Sequence, residues 1–242
     1  EGASFGYERP RNAPMLMALP ATADSSSTGQ VWSDAKRWGP LGGSVVHTSY
    51  SHSSMFYVMV QDVPPYPNGF AIRLPFSFKA GLMRSRVHPL DGQVYTVGLK
   101  GWDTNAEFDG CLYRGRYTGK PSHLIQNVLA TRTGVTFAFS CEVDPASIQA
   151  DSVTASREKE KEQKGTREPV ALGRVSLENS RTLTVEVPRI GEEKVEYRTV
   201  KDPQTGAVTV EVRTPIVFTV NLKAVDGTPL RQTVFATINS LQ

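Results

Sequence analysis

The sequence predicts an all-β protein, and three observations support this fold class. Short stretches that are apolar, or that alternate apolar and polar residues, recur every 8 to 14 residues or so, as antiparallel strands do. The 20 glycines and 16 prolines punctuate these stretches and supply the turns that such a fold requires. No stretch of about 12 residues carries a persuasive apolar rhythm of 3.6 residues, so long helices are not expected.

The first half of the chain predicts six strands after an irregular start. Residues 1–30 are rich in Pro, Ser and Ala, which predicts a long connection without regular structure. Glycine, proline and Asp-Gly then separate strands at intervals typical of antiparallel sheets or propeller blades. His47 lies within the first strand, and we expect a packed, hydrogen-bonded side chain there rather than a general base. The predicted strands span residues 43–50, 54–62, 69–76, 82–88, 92–99 and 110–118.

The second half predicts a small sandwich, so we expect two domains, residues 1–123 and residues 124–242. Six or seven short strands within about 120 residues suit an immunoglobulin-like β-sandwich. The stretch around residues 201–206 predicts a protruding hairpin, because charged and apolar residues alternate on both of its arms. Residues 156–168 contain no apolar side chain and predict a solvated loop, with a partner-docking arm as the alternative. Strands are expected at residues 132–141, 170–177, 182–188, 193–200, 207–213, 216–223 and 231–238.

Bulk properties exclude some partners. The 27 basic and 24 acidic residues give a net charge of +3, which provides no strong field for binding nucleic acid or an anionic membrane. No apolar run approaches the roughly 20 residues of a membrane-spanning helix. The chain begins at Glu1 with neither Met nor a leader sequence, which we interpret as a processed product or as a piece of something longer.

Sequence motifs assign no catalytic residue and no metal site. The hydrolase motifs Gly-x-Ser-x-Gly, Ser-x-x-Lys and His-Glu-x-x-His are missing, as are phosphate-binding and dinucleotide-binding glycine motifs. The four histidines lack the paired spacing of metal ligands, and the two cysteines form no Cys-x-x-Cys. Whether the protein is an enzyme stays open at this point.

Four residues are candidates for ligand binding. Arg84 and Arg86 are two apart on one strand, so they share a face and form a fork suited to a carboxylate-bearing ligand. The alternative is an exposed strand whose arginines pair with acidic residues. Trp102 and Asp103 follow Gly101 at a strand end, where an indole can stack on a ligand and a carboxylate can accept hydroxyl hydrogen bonds. The alternative there is a structural corner.

Two segments resemble a known family. "GQVWSDAKRWGPLGG" (residues 29–43) and "MRSRVHPLDGQVYTVGLKGWDTNAEFDGCLYRGRYTGKP" (residues 83–121) resemble the C-terminal part of bacterial sorbosone-dehydrogenase-like proteins. Residues 220–241 resemble the end of that family's last β domain. Residues 134–155 are similar to the opening of bacterial immunoglobulin-like domains.

The resemblance implies an exported, periplasmic or secreted protein related to quinoprotein sugar dehydrogenases, of which longer members often carry a c-type haem domain. It implies a cofactor-binding contribution from Arg84 and Arg86. The oxidising compartment, together with the expectation that Cys111 and Cys141 flank neighbouring strands, favours a disulfide between them over two buried free thiols. This chain departs from the family in lacking Cys-x-x-Cys-His, so covalent haem is excluded. Residues 1–123 also hold strands for at most two propeller blades.

Two hypotheses for function follow. In the first, the chain is a non-catalytic segment or subunit of an exported sorbosone-dehydrogenase-like redox protein. It would complete a β-propeller together with a further chain or segment and support electron transfer, with the cofactor unidentified. In the second, the chain is a carbohydrate or cell-surface binding module that uses Trp102 and nearby loops. An independent hydrolase has no motif in its favour.

Overall fold

A computed structural model describes residues 14–76, 78–158, 165–191, 195–202 and 206–241. The protein is all-β, which confirms the predicted class, and short 3₁₀ helices occur at Gly39–Leu41 and Pro145–Ser147. No helix within the described ranges has the length and apolar character needed to cross a membrane. The strands are β1 (Ser27–Trp32), β2 (Val45–Ser49), β3 (Ser54–Gln61), β4 (Asn68–Arg73), β5 (Gly81–Val87), β6 (Val94–Leu99), β7 (Gly110–Gly115), β8 (Ile125–Ala130), β9 (Gly134–Phe139), β10 (Val153–Glu158), β11 (Arg167–Val170), β12 (Val175–Asn179), β13 (Thr182–Glu186), β14 (Val195–Asp202), β15 (Gly206–Arg213), β16 (Ile216–Lys223) and β17 (Pro229–Thr237).

One large sheet contains strands from both halves of the chain. Its eight antiparallel strands run in the order β1-β2-β3-β4-β17-β16-β10-β11. At the junction, Phe70 of β4 lies opposite Ala236 of β17, and Ile72 lies opposite Val234. All four side chains are buried, so β4 is a central strand rather than an edge. This sheet therefore crosses the predicted boundary between residues 123 and 124.

Two smaller sheets pack against the large one. The four-stranded sheet β12-β13-β9-β8 and the three-stranded sheet β5-β6-β7 share one cluster of buried side chains with it. Phe137 of β9 meets Phe218 of β16 edge to face, with ring centroids 5.5 Å apart. Strand β5 lies beside β1, and the Thr28 hydroxyl donates a 2.7 Å hydrogen bond to the Leu82 carbonyl. The core therefore runs without interruption through both halves of the chain.

The opposite face of the large sheet is covered by residues 14–26. A second buried cluster joins Ala23 of this segment to Phe56, Val217 and Phe235 of the sheet. Gly69 leaves room for the segment, because a Cβ there would lie 2.2 Å from the Leu16 carbonyl oxygen. The predicted irregular connection is confirmed for residues 14–26, whereas residues 27–30 belong to β1, contrary to the prediction.

The predicted solvated loop at residues 156–168 is wrong at both of its ends. Strand β10 extends to Glu158, and β11 begins at Arg167 and pairs with it. These charged residues form strands because β10 pairs with β16, which places Val153 opposite Val220. This pairing holds β10 extended, and the charged residues that follow continue the strand. Residues 159–164 lie outside the described residues.

The predicted hairpin is confirmed, since β14 and β15 pair antiparallel along their whole length. The tip, residues 203–205, lies outside the described part of the chain. The more detailed expectations, propeller-like sheets and an immunoglobulin-like sandwich, stay predictions.

Candidate functional site

The loop that carries Trp102 is firmly attached to its surroundings. We call residues 100–109, between β6 and β7, the Trp102 loop. The Thr104 hydroxyl donates to the Tyr50 carbonyl at 2.9 Å, and the Asn105 amide donates to the Ser51 carbonyl at 3.0 Å. The Glu107 amide donates to the Lys79 carbonyl at 2.8 Å. Backbone groups of two neighbouring segments therefore hold the loop.

Trp102 projects from this loop into solvent. Its side chain is 80% exposed, and its indole lies 5.8 Å from the Tyr50 ring, centroid to centroid. Gly101 is required for this packing, because a Cβ there would lie 2.6 Å from the Tyr50 hydroxyl oxygen. Asp103 adopts a left-handed backbone with φ of 46°, a conformation that Asp tolerates better than most residues do. The indole is thus supported by Tyr50 and open to a ligand.

Exposed polar side chains lie close to Trp102 along the loop. Asp103 and Asn105 are both exposed on the same loop. The Asn105 side-chain amide reaches the His52 carbonyl at 3.3 Å, and the Arg73 guanidinium reaches the same oxygen at 3.5 Å. Hydrogen-bond donors and acceptors therefore lie close in the chain to an exposed aromatic face, which is the combination that binds polyhydroxylated ligands.

Arg84 and Arg86 share the exposed face of β5, with the buried Ser85 between them. The Arg84 guanidinium donates to the Met83 carbonyl at 2.9 Å, and the Arg86 guanidinium donates to the Ser85 carbonyl at 2.8 Å. These hydrogen bonds go to the β5 backbone, and neither involves the Trp102 loop. The structure therefore does not assemble the four predicted ligand residues into one site.

A third arginine belongs to the same face of the three-stranded sheet. Tyr95 of β6 lies opposite both Arg86 of β5 and Arg114 of β7. Arg114 lies within the strand predicted at residues 110–118 but was not predicted as a ligand residue. Its alternation with the half-buried Tyr113 indicated that the Arg114 side chain is exposed. The register between strands, which determines the residues that lie beside it, cannot be read from one strand.

The two cysteines are free thiols, so the predicted disulfide between Cys111 and Cys141 is not formed. Cys111 lies on β7 next to Gly98 of the three-stranded sheet, whereas Cys141 follows β9 of the four-stranded sheet. The sequence-based assumption that they flank neighbouring strands is therefore wrong. Burial raises the pKa of both thiols, so neither is activated as a nucleophile.

A buried polar network surrounds Asp24, whose side chain is fully buried. His47 Nε2 lies 2.8 Å from one carboxylate oxygen, to which the Ser27 hydroxyl also donates. The Ser49 hydroxyl at 2.6 Å and the Ser26 amide at 3.1 Å donate to the other oxygen. Burial opposes the charge of Asp24, but these hydrogen bonds outweigh it and lower the pKa of the carboxyl.

This network is structural. His47 is buried within the fold, which confirms the packed, hydrogen-bonded role predicted for it. Its partner Asp24 was missed because it lies in the irregular segment, where no strand pattern relates it to β2. The network ties residues 24–27 to β2 around a carboxylate that is itself fully buried.

No group of three or more His, Cys, Asp or Glu side chains in the described ranges is arranged to hold a metal ion. Comparison of the chain with protein-family models, with curated proteins and with solved structures found no match.

Proposed function

We propose that the protein is a carbohydrate or cell-surface binding module and that Trp102 is its principal contact. The observation that carries the proposal is an 80% exposed indole on a loop that backbone hydrogen bonds hold in place. Large exposed aromatic side chains on anchored loops mark interaction sites, because their burial by a ligand provides much free energy at little entropic cost. Asp103 and Asn105 supply the polar contacts of the site.

The ligand class that fits best is a β-linked glucose-type chain. Pyranose rings whose hydroxyls are all equatorial present faces of axial C–H bonds, and these faces pack on an indole. The equatorial hydroxyls then point sideways, toward groups such as the Asp103 carboxylate and the Asn105 amide. Because the site is a surface rather than a pocket, we expect it to bind a chain of sugars weakly rather than a monosaccharide tightly.

The test is a binding comparison between two tryptophan variants. Trp102→Ala is expected to reduce binding to cellohexaose at least tenfold, with thermal stability unchanged within about 2 °C because the side chain is largely exposed. Trp32→Ala is the matched control, since Trp32 is also exposed, at 64%, but lies on β1 away from the Trp102 loop. Affinity electrophoresis and a glycan array measure both variants. Equal loss in both, or no binding of the unaltered protein to any polysaccharide, would count against the proposal.

A second candidate is the redox-assembly segment implied by the family resemblance. We propose it because β5-β6-β7 is a three-stranded meander, one strand short of a propeller blade. In the described part of the chain β7 pairs only with β6, and Leu112 on β7 is 70% exposed. An unpaired edge strand with exposed apolar residues is suited to pairing with a strand from a further segment or chain.

Native mass and absorption spectroscopy of material isolated from its source test this second candidate. A larger complex with a haem or quinone absorption band is the expected result, together with recovery from an exported fraction. A lone 26.5 kDa species without such a band would remove the candidate. That outcome leaves the carbohydrate proposal standing, because glycan binding is measured on the isolated chain.

A further inference from the structure

A cavity of about 560 Å³ lies between the three-stranded sheet and the large sheet. Strand β7 and the residues after it form one wall, residues 74–76 with Phe78 form another, and residues 122–124 before β8 contribute a third. Its volume falls within the range typical of small-molecule sites, about 300–1,000 Å³. No residue of the Trp102 loop lines it, so this cavity is separate from the carbohydrate surface.

The interior of the cavity is apolar and mostly aromatic. Its buried lining includes Trp38, Leu41 and Met55, and the Trp38 indole nitrogen is already satisfied by a 2.9 Å hydrogen bond to the Gly92 carbonyl. Further aromatic rings complete the walls. These rings belong to Phe76, Phe78, Tyr113 and Tyr117. A flat hydrophobic molecule therefore finds several ring faces and edges to pack against.

The charged groups of the cavity are all basic. Arg116 lines the cavity just after the end of β7, and His123 lines the side before β8. The Arg114 side chain is not counted among these groups, because it belongs to the opposite face of the three-stranded sheet, with Arg86 and Tyr95. No described residue that lines the cavity is acidic. The Asp226 carboxylate is not part of the lining. It lies 2.8 Å from His123 Nε2 and is therefore already paired with His123. An arginine with no acidic residue in the described lining favours an anionic group on the ligand.

We propose that this cavity is a binding site for an aromatic carboxylate. The aromatic body occupies the apolar interior against Trp38, and the carboxylate lies at Arg116. Planar guanidinium groups bind carboxylates through paired hydrogen bonds, which gives the site its preference for an anion over a neutral molecule of the same shape. Each half of the ligand thus has a matching half of the cavity.

The probes are 2-naphthoate, neutral 2-naphthol and the cation 2-naphthylmethylammonium, each titrated into the full chain by calorimetry. We expect saturable binding of 2-naphthoate, at least tenfold weaker binding of 2-naphthol, and no measurable binding of the cation. Binding of 2-naphthol as tight as that of 2-naphthoate, or tighter, would overturn the proposal, because an apolar cavity without charge recognition favours the neutral molecule, which loses less hydration energy on burial.

Two variants locate the site. Arg116→Gln is expected to weaken 2-naphthoate binding at least fivefold and to leave 2-naphthol unaffected. Arg84→Gln is the matched control, since Arg84 is an exposed arginine of the same sheet that does not line the cavity. Unchanged 2-naphthoate binding in Arg116→Gln, or equal weakening in the control, would contradict the assignment.

Gly115→Leu blocks the cavity. A Cβ at Gly115 meets the Trp38 ring at 3.6 Å, an ordinary contact, so a larger side chain there extends into the space that the ligand needs. Loss of 2-naphthoate binding with an unchanged circular dichroism spectrum supports the site. Full binding by a folded Gly115→Leu places the ligand elsewhere. If this variant does not fold, the comparison of Arg116→Gln with Arg84→Gln still tests the site, because both arginines are exposed.

Discussion

Asp24→Ala is expected to lower the free energy of unfolding by about 3–5 kcal/mol, because it removes one partner from a buried, hydrogen-bonded polar cluster. The Asp24 carboxylate accepts hydrogen bonds from Ser26, Ser27 and Ser49 and contacts His47, and its side chain is fully buried. Without it, the buried Ser49 hydroxyl and the buried His47 ring lose this partner. The same change also releases the segment of residues 14–26 from β2.

Urea unfolding followed by tryptophan fluorescence measures this effect. Asp151→Ala is the control, since Asp151 is an exposed aspartate and its removal is expected to change stability by less than about 0.5 kcal/mol. An Asp24→Ala protein as stable as the control would show that the polar network contributes nothing net to folding.

The same network makes stability depend on pH. The pKa of Asp24 is lowered in the folded protein, so its contribution is fully present above the unfolded pKa of about 3.9 and is lost as pH falls through the folded pKa. The unaltered protein is therefore expected to lose stability between pH 5 and acid values more steeply than Asp24→Ala does. Parallel curves for the two proteins would contradict this assignment.

Phe218→Ala is expected to destabilise the protein by about 3–5 kcal/mol, the usual cost of removing a fully buried aromatic ring. Phe218 is completely buried on β16 and packs edge to face on Phe137 of the four-stranded sheet. Because the core is continuous with β4 and β17, the loss is expected to affect the whole chain. For a chain of this size, the cost corresponds to a melting temperature lower by about 6–20 °C.

Differential scanning calorimetry tests both the size of this loss and the unity of the fold. Thr219→Ala is the control, as Thr219 is the next residue on β16 and its side chain is exposed. A single transition that moves as a whole is the expected result for Phe218→Ala. Two transitions, of which only one moves, would show that the two halves of the chain unfold separately.

Local pattern predicted most of the strands but not their arrangement. Strands β2 to β7 lie within a few residues of their predicted positions, because each carries its own apolar pattern and turn. Strand β10 was missed, since "VTASRE" has few apolar residues and is held by its neighbour β16. The pairing of β4 with β17 joins residues some 165 positions apart, and no local pattern predicts it.

The candidate site was partly predictable for the same reason. Trp102 and Asp103 were found from a glycine-containing strand end, which is a local signal. The cavity was not foreseen, because its lining comes from the end of β7, residues 74–76 with Phe78, and residues 122–124, which meet only in the folded chain. The disulfide was inferred from the expected compartment and an assumed adjacency of strands, and the arrangement of the sheets overturns that adjacency.

The proposed carbohydrate binding depends most on Trp102 as the residue that contacts the sugar. The chain has three tryptophans, so a ¹H–¹⁵N correlation spectrum contains three indole signals that report on three separate places. On titration with cellohexaose, the Trp102 signal is predicted to shift saturably, while the signals of Trp32 and of the cavity residue Trp38 stay in place. A Trp102 signal that does not move at saturating sugar, or that moves no more than the Trp32 signal, would contradict the account.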